Sequence, residues 1–151
     1  MKSILVMNGP NLNMLGQREP GLYGHSTLAD VEQLCRDTGE LLGVVVECFQ
    51  SNHEGELIEA LHKAGRAVKE GKMIGVVFNA GAYTHTSIAL YDAIKAAEVP
   101  VIELHISNVH ARESFRHHSY LSPVAEGVIV GFGIEGYALA INGLVTKMGS
   151  K

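Results

Sequence analysis

The stretch from Val99 to Ser119, VPVIELHISNVHARESFRHHS, gathers the side chains best suited to chemistry. Val101 to Ile106 reads as a buried strand, with Pro100 marking where it begins. Glu103 and His105 are two residues apart on that strand, so their side chains share one face of the sheet. The strand then breaks into Ser107 and Asn108, followed by a polar segment holding His110, Arg112, Arg116, His117 and His118. Open α/β sheets bind ligands at the C-terminal ends of their strands, where these residues fall. In a purely structural role Glu103 and His105 would satisfy each other in the core. A serine and two arginines at the same strand end favour an anion-binding catalytic cleft instead.

A second group lies in NGPNLNMLGQREPGLYG, Asn8 to Gly24, a long segment with four glycines, two prolines and little periodicity. A loop of this length inside a compact domain is functional or disordered. Arg18 and Tyr23 sit five residues apart in it, bracketed by Pro20, Gly21 and Gly24. Flanking glycines suit a lid that closes over substrate. A free tyrosine has a pKa of about 10, so a tyrosine acting as a base needs a nearby cation. Arg18 can supply that cation and cannot itself lose a proton near neutral pH. From the residues alone, a tyrosine packed under a loop is as good a reading.

The elements that position these groups follow from the hydrophobic pattern. A chain of 151 residues is one domain with a proper core. Ser3 to Asn8 is an apolar strand. Thr27 and Asp30 form a capping box before a helix carrying Leu28, Val31, Leu34, Cys35 and Leu42, which Gly43 ends. Val44 to Phe49 is the second strand, and Leu57, Ile58, Leu61, Ala64 and Val68 mark a second helix closed by Gly71. Ile74 to Phe78, a helix from Ile88 to Ala97, the Val101 strand, a strand from Gly127 to Val130 and a helix from Ile134 to Met148 complete the chain. This β-α alternation predicts a flavodoxin-like three-layer α/β sandwich, a five-stranded parallel sheet in order 2-1-3-4-5 with helices on both faces. The loops after strands one, three and four then meet in one cleft, and they carry the Asn, His, Arg, Tyr and Ser residues.

Several function classes are disfavoured. The net charge is −4 and no basic stripe is present, which argues against nucleic-acid binding. No apolar run is long enough to span a bilayer, and the N-terminus runs directly into a strand without a signal-peptide pattern, so a cytoplasmic protein is expected. Cys35 and Cys48 lack metal-ligand spacing and suit a reducing compartment. The histidines, including His25 and His62, match no metal motif, so no metal is expected. No lysine falls at the C-terminal end of a strand, which disfavours a Schiff base. Gly131, Gly133 and Gly136 form a GxGxxG, but in the last βα unit and with no acid about 20 residues on, so tight helix-sheet packing is the better reading. No strand ends in Asp, which weighs against a phospho-accepting signalling module. Acid-base chemistry on a small anion remains, with another lyase or isomerase on the same fold as the rival.

Taken together, NGPNLNMLGQREPGLYG, QSNHEGELI, NAGAYTHTS, ELHISNVHARESFRHHSYLSP and GFGIEGY, in this order, resemble type II 3-dehydroquinate dehydratase. The resemblance runs from Asn8 to about Tyr137. It implies cofactor-free conversion of 3-dehydroquinate to 3-dehydroshikimate and water, in aromatic biosynthesis (the shikimate pathway) or in quinate catabolism. By the same resemblance, Tyr23 matches the base, Arg18 the lid arginine that keeps it ionised, and Asn11 the residue orienting a water on an enolate oxygen. His105 matches the general acid, with Glu103 orienting it. Ile106, Ser107 and Asn79 match the carboxylate site, His85 and Arg116 the grip on ring hydroxyls, and Arg112 a supporting or lid partner. Asp92 matches a position contributed by a neighbouring subunit, which implies a homo-oligomer, a dodecamer built from trimers.

Overall fold

A computed structural model of the chain describes residues 1–17 and 19–149. Strands β1 (Ser3–Asn8), β2 (Val45–Gln50), β3 (Met73–Asn79), β4 (Val101–His105) and β5 (Gly127–Val130) form one sheet in the order β2-β1-β3-β4-β5. Every pairing is parallel. β3 and β4 are buried at every residue, as Val- and Ile-rich central strands with both faces covered must be. The expected flavodoxin-like architecture and strand order are thus what the chain adopts.

The helices are α1 (Pro20–Tyr23), α2 (Leu28–Leu42), α3 (Glu54–Lys69), α4 (Ile88–Ala97) and α5 (Glu135–Met148). Successive strand residues point to opposite faces. Ile4 and Val6 of β1 therefore join one core with Val31, Cys35, Ile141 and Leu144 of α2 and α5. Met7 joins the other, with Leu57, Leu61, Leu90 and Ile94 of α3 and α4. The capping box at Thr27 and Asp30 is present, and Gly43 ends α2 in the left-handed conformation at φ 74°.

Element bounds differ from the hydrophobic pattern where polar residues carry the backbone. α3 starts at Glu54, ahead of its first apolar position, because Glu54 and Glu56 favour the positive end of a helix. β4 ends at His105, one residue early, where the chain turns into the cleft. The Asn8–Gly24 segment is more ordered than its composition suggests: it holds a 3-10 turn at Leu12–Met14 and α1, begun by Pro20 at its first position. Leu12 and Leu15 are buried and anchor it to the sheet. Among the described residues, no helix is long and apolar enough to cross a membrane.

Of the three glycines around the start of α5, Gly136 is the one that makes the tight helix-sheet packing. A Cβ on Gly136 would lie 2.8 Å from Leu104 Cδ1, so α5 rests almost directly on β4. Leu104 is fully buried and has nowhere to retreat. Gly136→Ala should therefore cost about 1–3 kcal/mol through overpacking, read as a lower urea midpoint. An unchanged midpoint would refute the close approach.

Candidate active site

β1 lies between β2 and β3, so the chain reverses direction across the sheet between β1 and β3, where doubly wound folds open a crevice. In register, Asn8 at the end of β1 pairs with Asn79 at the end of β3. The loops after β1, β3 and β4 converge on a cavity of about 110 Å³. Asn11, Tyr23, Asn79, His85, His105, Ile106, Ser107, Arg112 and Arg116 all line it, so nine of the positions singled out in the sequence are brought together. Three are not among these nine. Glu103 sits behind His105, Asp92 is exposed on α4 away from the cavity, and Arg18 falls outside the described residues.

Glu103 and His105 form a buried pair, 2% and 5% exposed. His105 Nε2–H donates to Glu103 Oε2 at 2.6 Å, which leaves Nδ1 as the ring nitrogen for the cleft. The other carboxylate oxygen, Oε1, accepts from Ser119 Oγ at 3.1 Å and Ser122 Oγ at 2.5 Å. Burial alone would raise the Glu103 carboxyl, but the bonds and charge from His105 and the two serine hydroxyls outweigh it and hold the group below the ordinary carboxylate range. The two serines are not among the site residues expected from the sequence. Their only signal is their place in HHSYLSP, just beyond the polar loop.

Tyr23 reaches the cleft from the end of α1. Its hydroxyl accepts from Arg112 Nη1 at 2.8 Å, and the guanidinium carbon stands 5.4 Å from its ring centroid. Arg112 also donates to Ser107 Oγ at 3.3 Å and lies 3.9 Å from both Glu19 and Glu113. The His117 ring donates from Nε2 to the Arg112 carbonyl at 3.1 Å, so this histidine braces the loop backbone from the surface. A guanidinium bonded to a phenol oxygen stabilises negative charge there. That places Arg112 in direct contact with the hydroxyl, in the loop where the resemblance implies a supporting or lid partner.

The floor of the cleft is set by a buried relay. Asn79 Nδ2 donates to the Tyr137 hydroxyl at 2.9 Å, which in turn donates to Asn8 Oδ1 at 2.5 Å. Asn79 Oδ1 accepts the Gly81 N–H at 3.2 Å, so the amide cannot flip without losing both bonds. Burial pushes the Tyr137 hydroxyl far up, and it remains a neutral phenol. The sequence gives no reason to pick Tyr137, which sits in a helix on an apolar face. On the rim, Asn11 adopts a left-handed φ of 69° and its N–H donates to Asn52 Oδ1 at 3.0 Å.

His85 Nδ1–H donates to the His118 carbonyl at 2.8 Å, and its ring stacks on His105 at 6.2 Å. Burial, reinforced by nearby His105 and Arg116, lowers its proton affinity despite that bond, so Nε2 is poised to accept from a hydroxyl. Burial raises the Cys35 thiol to about 12 and the Cys48 thiol to about 11, which leaves neither a ready nucleophile. Among the described residues, no three His, Cys, Asp or Glu side chains cluster in a way that could hold a metal ion.

A flavodoxin-like sheet whose cleft gathers a tyrosine, an arginine and a carboxylate-backed histidine has the groups that acid-base chemistry on a small anion needs. The family described as dehydroquinase class II matches residues 2–145, and the chain belongs to that family. It is 66% identical over 148 residues to a 3-dehydroquinate dehydratase of Marinomonas sp. (strain MWYL1), covering 98% of this chain and 99% of that one. A 3-dehydroquinate dehydratase of Variovorax paradoxus (strain S110) is 69% identical over 145 residues, 96% of this chain and 99% of its own. The type II dehydroquinase of Butyrivibrio crossotus DSM 2876 superposes with a TM-score of 0.90 at 44% identity, covering 95% of this chain and 97% of that one.

Two stability measurements test this geometry. Tyr137→Phe strands the Asn79 and Asn8 amides in the core and should cost about 1–3 kcal/mol in chemical denaturation; a neutral effect would contradict the relay. His85 and Glu103 both have depressed proton affinity, so the folded chain binds fewer protons than the unfolded one and acid destabilises it. The His85 share is lost as pH falls below the ordinary value of 6.5. The Glu103 share is present above its ordinary value of 4.5 and is lost as pH falls on through its lower folded value. Urea midpoints should decline in those two stages, the first absent in His85→Gln. A flat profile would overturn both assignments.

Proposed function

We propose that this chain dehydrates 3-dehydroquinate to 3-dehydroshikimate by acid-base elimination through an enolate. The observation that carries the reading is that Tyr23, bonded to Arg112, and His105, backed by Glu103, line one cavity together with Asn79 and Ser107. Tyr23 as phenolate takes the proton from the carbon alpha to the ketone, and the C–H electrons become the enolate. A water oriented by Asn11 stabilises the enolate oxygen. The enolate then re-forms the ketone and expels the hydroxyl, which leaves as water with a proton from His105. The tyrosine proton returns to the histidine through solvent, which closes the cycle. Both proton movements are assigned to side chains, so no step calls for a cofactor.

The substrate carboxylate is assigned to the Ile106 and Ser107 end of β4 and to Asn79, whose amide orientation is held by Gly81 and Tyr137. His85 and Arg116 take the ring hydroxyls. Arg18 is assigned, by the family resemblance, as a second cation for Tyr23. The chain is assigned as a single catalytic domain. Asp92, exposed on α4, is assigned to a neighbouring subunit's cleft in a homododecamer of trimers, and the enzyme to the cytoplasm.

Chelator-treated protein mixed with 3-dehydroquinate should generate the ultraviolet absorbance of the conjugated enone, before and after borohydride treatment. Tyr23→Phe and His105→Ala should each lower kcat by roughly 100- to 10,000-fold while remaining folded. No enone from folded wild-type protein would refute the substrate, and near-full activity in either variant would refute that residue's role.

A further inference from the structure

Glu103 is a charged group almost wholly removed from water, and both of its oxygens are occupied. Oε2 takes the His105 Nε2–H, and Oε1 takes the hydroxyls of Ser119 and Ser122. The serines reach it from across the long loop, Ser119 at its end and Ser122 at the start of the 3-10 turn Ser122–Val124. Ser119 is not free to rotate away. Its Oγ accepts the backbone N–H groups of Leu121 at 3.0 Å and Ser122 at 3.1 Å, which turns its own O–H toward the carboxylate.

The His105–Glu103 pair can hold one proton beyond the neutral-imidazole, ionised-carboxylate state in two ways. In one, the imidazole is charged and the carboxylate ionised; in the other, the imidazole is neutral and the carboxylic acid protonated. The first presents the stronger acid at Nδ1 to a departing hydroxyl, because an imidazolium gives up that proton in a single transfer, whereas the second form must move a further proton from the carboxyl to Nε2 in the same step to avoid an imidazolate. Burial by itself favours the second form, since it removes both charges. Hydroxyls that donate to Glu103 stabilise the carboxylate and disfavour its protonation, which tips the pair back to the charged form. The other groups around Glu103 do not replace them. His85 donates to a carbonyl and Arg116 to Glu113, while His110, His117 and His118 line the same cavity of about 320 Å³ as the pair, without a hydrogen bond to Glu103.

We propose that Ser119 and Ser122 are positioning residues for the dehydration, which act through Glu103 to keep the catalytic proton on His105. Neither touches the cleft where substrate would lie; Ser119 and Ser122 line only the cavity behind the pair. The inference rests on the dehydratase reading above.

The test measures kcat and KM for 3-dehydroquinate in Ser122→Ala, Ser119→Ala and Ser122→Thr, each in the wild-type and Glu103→Gln backgrounds. A hydroxyl donating to a charged group predicts a loss in kcat of roughly tenfold for Ser122→Ala, with KM within about threefold. Ser122→Thr, which keeps the hydroxyl, should restore kcat. With a neutral amide at Glu103 there is no carboxylate to stabilise, so the same serine substitution should change kcat less than about twofold. Equal losses in both backgrounds would mean the serines merely support the loop, and kcat within about twofold of wild type would also overturn the proposal. Should Ser122→Ala melt before assay, Ser119→Ala decides by the same criteria. Wild-type protein without turnover would fail the dehydratase reading instead, a result separable from any of these.

Discussion

Burying a carboxylate costs several kcal/mol unless hydrogen bonds make its charge tolerable, and much of this molecule answers that demand at Glu103. Its partners are His105, two residues on along β4, and Ser119 and Ser122, which return to it from the far side of the polar loop. Bringing those serines back closes the loop over the end of β4. The closed loop in turn sets Arg112 against Tyr23 and Ser107, and Arg116 against Glu113. One buried charge thus ties together His105, the guanidinium beside Tyr23, and the wall between them.

The sheet supplies the other constraint. With β1 between β2 and β3, the strand ends at Asn8 and Asn79 face each other across the crevice, and Tyr137 from α5 joins their amides. α5 can deliver that hydroxyl only because Gly136 lets the helix settle onto Leu104 of β4. A packing detail on one face of the sheet therefore fixes which way the Asn79 amide points on the cleft floor.

The architecture is legible in the sequence because each element follows a plain rule. Apolar runs for covered strands, helical spacing of Leu and Val, and the cap at Thr27 all agree with the structure. The cleft is legible because polar residues accumulate at three strand ends that this topology brings together. Less visible are interactions made by residues of ordinary appearance. Tyr137 lies on an apolar helix face and Ser119 and Ser122 in a loop, so only three-dimensional proximity reveals what their hydroxyls do. The short α1 is not readable either, since four residues are too few to show a helical period.

The most direct test is to locate the proton between His105 and Glu103, which neutron diffraction from deuterium-exchanged crystals near neutral pH would do. An ionised carboxylate predicts deuterium on His105 Nε2, pointing at Glu103 Oε2, with neither Glu103 oxygen carrying one. Deuterium bound to a Glu103 oxygen would mean that the buried carboxylate is neutral, and would contradict the charged group on which the site depends.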